Sequence, residues 1–146
     1  MYKNVLVAID GSETAEAILP FILQIAGPLD LNIILLRVNP PAAPTMEEAA
    51  HMMSEVYLAQ LAKDIASKGL RVETMVLEGT PAETIVAAAH EANVDLIAMT
   101  THGRTGPSRL LFGSVAESVL REAQVPVMLL KQTQRDLERS HEARRT

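Results

Sequence analysis

Cysteine and tryptophan are both absent from the 146 residues. Without cysteine there is no disulfide, no zinc-thiolate site and no thiol catalysis, which agrees with a reducing compartment and makes the cytoplasm the simplest address. Aromatic residues are scarce: Phe21, Phe112, Tyr2 and Tyr57 are the whole set. No platform for stacking nucleic-acid bases follows from so few, and the core must be aliphatic. Basic charge is short as well. The net charge is −5 and the positive residues are scattered except near the C-terminal end, so no basic stripe marks a DNA or RNA surface. The apolar run Val5 to Ile9 is too short for a signal peptide, and no stretch approaches the ~20 apolar residues of a membrane span. Enzyme signatures are missing too: there is no Walker lysine loop, no dinucleotide fingerprint after the first strand and no G-x-S-x-G elbow. His51, His90, His102 and His141 lie on separate segments without metal-ligand spacing, so no metal centre is expected.

What is present alternates. Val5 to Ile9 is a β-branched apolar run followed by Asp10-Gly11-Ser12, which reads as a buried strand and its turn. From Thr14, the residues Ala15, Ile18, Leu19, Ile22 and Ile25 recur at helical spacing until Gly27-Pro28, with Pro20 as an interruption inside the pattern. Asn32 to Val38 is a second strand. Thr45 and Glu48 form a capping-box signature for a long helix whose buried face is read as Ala50, Met53, Tyr57, Leu61 and Ile65. Val72, Thr74 and Val76 alternate with polar or flexible neighbours, as in a half-exposed strand at a sheet edge. Thr80-Pro81-Ala82-Glu83 supplies a cap, a proline at the first helical position and a reciprocal carboxylate for a third helix running to about His90. Asp95 to Thr100 is a fourth strand, Ser114 with Glu117 opens a fourth helix, and Pro126 to Leu130 is a fifth strand. This order predicts one α/β domain over residues 1–131: an open, Rossmann-like, five-stranded parallel sheet with helices on both faces. Residues 132–146 carry four arginines with little apolar content and are expected to be a frayed or disordered tail.

Open parallel sheets bind ligands at the carboxyl ends of their strands, where the strand order reverses. The informative segment there is Met99 to Ser114. Gly103 and Gly106 permit backbone conformations closed to other residues, and Gly113-Ser114 leads into a helix start whose unpaired amides attract anions. A phosphate site is one reading, with Arg104 or Arg109 offsetting charge. The plainer alternatives stay open: Ser114 as a cap paired with Glu117, Asp10 bonding its own turn, His102 as a solvent-exposed loop residue, and the two arginines as surface charge.

Val5-Leu6-Val7-Ala8-Ile9-Asp10-Gly11-Ser12, together with Thr101-His102-Gly103-Arg104-Thr105-Gly106, Leu110-Leu111-Phe112-Gly113-Ser114-Val115-Ala116-Glu117 and Val125-Pro126-Val127, resembles the universal stress protein family over nearly all of residues 2–131. ATP-binding members of that family carry a glycine, two residues, a second glycine, nine residues, then glycine and Ser or Thr. Gly103, Arg104 to Phe112, Gly113 and Ser114 fit this pattern, and Thr100 stands where the first glycine belongs.

The resemblance implies an ATP site to which Ala8, Ile9 and Asp10 contribute, with Asp10 facing ribose and adenine and Val38 meeting the adenine through its backbone. Met99, Thr100 and His102 would line the nucleoside. Gly103, Gly113, Ser114 and Val115 would hold the phosphates, with Arg104 and Gly106 in the same loop and a divalent cation such as Mg2+ between the phosphates. It also implies a homodimer built through the last strand, Pro126 to Leu130. The function implied is a nucleotide-binding stress regulator that hydrolyses ATP slowly or not at all. A family member that binds no nucleotide and acts through protein contacts is the alternative that Thr100 motivates, and no catalytic residues point to an ATP-using enzyme.

Overall fold

The structure is a computed structural model that describes residues 2–10, 13–101 and 114–131. Among them, five strands and five helices follow in the order β1 (Asn4–Ala8), α1 (Glu13–Glu16), α2 (Leu19–Leu29), β2 (Asn32–Asn39), α3 (Pro44–Ala66), β3 (Arg71–Glu78), α4 (Pro81–Glu91), β4 (Leu96–Thr101), α5 (Ser114–Glu122) and β5 (Val127–Lys131). The strands form one parallel sheet in the order β3-β2-β1-β4-β5. Four strands lie within a residue of their expected bounds; β3 runs two residues beyond Val76 to Glu78 and is an edge as its alternation predicts.

Successive strand residues point to opposite faces, so the apolar runs supply two cores. Val5, Val7, Ile33 and Leu35 pack with Ile18, Ile22, Leu58 and Ile65 beneath α2 and α3. Leu6, Ile34, Leu36, Ile97 and Met99 pack with Ile85, Ala88, Ala116 and Val119 beneath α4 and α5. No aromatic side chain is among the buried core residues described. Helices on the β1-to-β3 side of the chain path cover one face, and those on the β4-to-β5 side cover the other, which is how crossovers of one hand wrap both faces of a sheet.

Four local expectations need correction. The first helix is two, because Pro20 does not kink a continuous helix: it sits in the first turn of α2, where a missing N–H costs nothing. That helix does not stop at Gly27-Pro28 but runs on to Leu29 and ends with Asp30 in the left-handed conformation, where the Leu31 N–H donates to the Ala26 carbonyl at 2.8 Å. Helix α3 starts at Pro44 with Ala43 as its cap residue, so Thr45 and Glu48 lie within the helix and are no capping box; Thr80 does occupy the cap position of α4, but its side chain makes no capping bond. Finally, the face of α3 turned to the sheet holds Ile65 buried and Tyr57 and Leu61 half-buried as read, but its centre is Ser54 and Leu58, and Met53 is exposed. A serine can go inside because its Oγ donates to Asn39 Oδ1 at 2.8 Å, the oxygen that also accepts Arg37 Nε at 3.3 Å.

Candidate functional site

The strand order places the reversal between β1 and β4: from β1 the chain steps to β2 and β3 on one side, then returns to β4 on the other. Their carboxyl ends therefore splay their loops apart and leave a crevice. A cavity of about 150 Å³ lies there. Its floor is the strand ends: Ala8, Ile9 and Asp10 after β1, Leu36 and Val38 of β2, and Met99, Thr100 and Thr101 of β4. Ala15 of α1, Pro81 and Ile85 of α4, and Val115 and Ala116 of α5 complete the described walls.

Each wall has a local cause. The Ile9 N–H donates to the Leu36 carbonyl at 2.8 Å, which extends the β1–β2 ladder past the strand and carries Asp10 to the rim. Gly79 turns the chain from β3 into α4 with φ of +151°, and its N–H donates to the Asn39 carbonyl at 3.0 Å, fixing where Pro81 enters the wall. Thr100 is buried, and its Oγ1 donates to the Ala15 carbonyl at 3.3 Å, so this side chain is turned toward α1 and holds it against the sheet. Glu16, next in α1, accepts the Tyr57 hydroxyl at 2.6 Å from α3. Burial and that bond to Glu16 push the Tyr57 phenol well above its ordinary value, with the charges of Glu16 and Asp10 adding to the shift and the Arg37 guanidinium opposing it. Arg37 lies over the Tyr57 ring, 5.7 Å from its centroid.

Of the residues singled out from sequence, Ala8, Ile9, Asp10, Val38, Met99, Thr100 and Val115 all border this one cavity. Ser114 is the exposed first residue of α5, beside it in sequence but not a wall. His102, Gly103, Arg104, Gly106 and Gly113 lie outside the described residues, as does Arg109. Sequence reasoning does not reach Ala15, Pro81 or Ile85, because only the packing of α1 and α4 brings them in. Among the described lining residues Asp10 is the single titratable side chain. An apolar slot with one carboxylate at its rim can hold a flat, weakly polar ring and accept a hydrogen bond from a hydroxyl, but it offers no acid–base pair. Among the described residues no three acidic or histidine side chains gather as a metal site, and no helix is long and apolar enough to cross a membrane.

The model of the universal stress protein family matches residues 1–131. The chain belongs to that family. Universal stress protein MJ0531 of Methanocaldococcus jannaschii is 32% identical to this universal stress protein, over 93% of this chain and 86% of its own. Among solved structures, that of hypothetical protein MJ0577 from the same organism superposes with a TM-score of 0.82 at 28% identity, covering 91% of this chain and 98% of the other. A universal stress protein in complex with cAMP shares the fold at a TM-score of 0.72 and 23% identity, covering 90% and 98% of the two chains.

Proposed function

We propose that this universal stress protein is a cytoplasmic ATP-binding regulator that hydrolyses its ligand slowly or not at all. The cavity at the β1–β4 reversal carries this reading: it joins an apolar slot formed by Leu36, Val38, Ile85 and Met99 to the Asp10 carboxylate, the order in which a base and a ribose would need them. Its 150 Å³ is below the roughly 300–1,000 Å³ of whole-ligand pockets, so the described walls accommodate the base end of a nucleotide. The phosphate half rests on the sequence pattern Gly103, nine residues, Gly113 and Ser114, which would supply main-chain amides and helix-start charge, with Mg2+ joining the phosphates. The cAMP complex gives precedent for a nucleotide on this fold. The same proposal includes a homodimer through β5, which closes one end of the sheet with half-buried apolar residues along an edge.

Mass spectrometry of the gently denatured, freshly purified protein tests the ligand. Released ATP, and calorimetric binding of ATP with Mg2+ that Gly113→Val weakens more than tenfold while helix content survives, is the expected result. Absence of nucleotide together with flat calorimetry would favour the second reading, a family member acting through protein contacts alone. The observation behind that reading is Thr100, which fills the place of a glycine and spends its hydroxyl on Ala15.

A further inference from the structure

One wall of the crevice is not fixed by its own backbone. Helix α1 is four residues long, too short to be stable by its internal bonds. Pro20 brings no N–H to the Glu16 carbonyl, so the ladder that would join α1 to α2 is interrupted there. Yet Ala15 of this helix borders the cavity and is only 6% exposed. Two side chains from other elements hold it in place. From β4, the Thr100 Oγ1 donates to the Ala15 carbonyl at 3.3 Å; from α3, the Tyr57 hydroxyl donates to Glu16 Oε2 at 2.6 Å.

Alternation along β4 decides whether Thr100 plugs the crevice or supports it. Met99 points to the face of α4 and α5, where Leu36 and Ile85 share the apolar slot with it. Ala98 belongs to the opposite core, and Thr100, two residues on, points the same way as Ala98, toward α1. The Thr100 side chain therefore leaves the sheet on the side away from the slot and spends its hydroxyl on the helix that walls the cavity. We propose that Thr100 is a positioning residue of the nucleotide site: it anchors α1 against β4, and the anchored helix sets the wall beside Asp10 against which the ligand binds. Tyr57 is the second anchor of the same helix. This role rests on the nucleotide reading above and reverses the sense of position 100, where the side chain in place of a glycine contributes to binding instead of blocking it. Without the Thr100 bond, α1 occupies its competent position for only part of the time, and the apparent affinity falls by that fraction.

Three variants separate hydroxyl, shape and glycine pattern. Thr100→Val keeps the shape and removes the hydroxyl, Thr100→Ser keeps the hydroxyl, and Thr100→Gly restores the glycine. In calorimetry with ATP and Mg2+, Thr100→Val binds roughly three- to tenfold more weakly than wild type, the range of one lost hydrogen bond. Thr100→Ser recovers most of that loss, and Thr100→Gly also binds more weakly than wild type. Amide hydrogen exchange on the nucleotide-free proteins reads the anchor itself. Exchange over residues 13–19 quickens by roughly three- to tenfold in Thr100→Val and returns toward wild type in Thr100→Ser, while α4 keeps the wild-type rate. Thr100→Gly binding as tightly as wild type or tighter would make the side chain a plug. Equal binding by wild type and Thr100→Val, no rescue by serine, or unchanged exchange over residues 13–19 would each overturn the anchor. Wild type that binds no ATP overturns the nucleotide reading instead, and the exchange rates then still decide whether Thr100 anchors α1.

Discussion

Asp95 accepts hydrogen bonds from the backbone N–H groups of Lys3 at 2.7 Å and Asn4 at 2.9 Å, tying the start of β4 to the start of β1. The Lys3 bond first and the Asn4 bond second hold its carboxyl below the usual carboxylate range. A depressed folded value means that the unfolded chain takes up the proton first as pH falls. The contribution of Asp95 is therefore complete above about pH 4 and is lost as pH drops through the lower folded value. Denaturant melts should show Asp95→Asn less stable than wild type at pH 7, with the gap narrowing toward pH 3; an equal gap at both would remove the charge from the explanation. Tyr57 works differently. Its raised value keeps it a neutral donor to Glu16 across the accessible pH range, so Tyr57→Phe deletes one bond and leaves a half-buried carboxylate partly unsatisfied. A loss of about 1–2 kcal/mol at neutral pH is expected from chemical denaturation. Because Glu16 neighbours Ala15 in the pocket wall, a few-fold weakening of ATP binding should accompany it in calorimetry.

Between β3 and α4, the single residue Gly79 makes a turn that nothing else in the chain can replace. Its φ of +151° is closed to side-chain-bearing residues, and a Cβ there would stand 2.5 Å from Thr84 Oγ1. Gly79→Ala should lower the melting temperature by roughly 3–10 °C, from about 1–3 kcal/mol of strain. An unchanged melting curve would show that the turn relaxes freely. This glycine also marks where sequence stops being legible. The strands are readable because each is a short apolar run bounded by turn residues, and a strand buried on both faces permits little else. The seven site residues found together come from strand ends and the first turn of α5: the α/β order assigns the strand ends to the ligand edge, and the family resemblance singles out the individual residues there. Helix faces are harder. Met53 against Ser54 on α3 is decided by Asn39, a partner from another element that offers the serine hydroxyl an acceptor. Pro20 and Pro28 mislead in the same way, since a proline tolerated in a first or last turn cannot be told from a helix breaker without the neighbouring bonds.

At the scale of the whole molecule, the cavity draws walls from both cores: Ile9 belongs to the α2–α3 side, and Ile85, Met99 and Ala116 to the α4–α5 side. A ligand seated there contacts both layers and the central strands between them, so it stabilises the folded chain as a unit. At a free concentration 100 times its dissociation constant it adds about 2.7 kcal/mol. For a chain of this size that should raise the melting temperature by roughly 5–10 °C with ATP and Mg2+. Asp10→Ala should abolish most of this shift, because the rim loses a charged acceptor, while Asp95→Asn gives the complementary result. Asp95 lies at the amino end of β4, at the opposite end of the sheet from the cavity. Its loss should lower the melting temperature with and without ATP by the same amount and leave the ligand-induced shift intact, as expected of distant, independent sites. If both variants reduced the shift equally, the effect would reflect general destabilisation, and the crevice between β1 and β4 would lose its claim to the nucleotide.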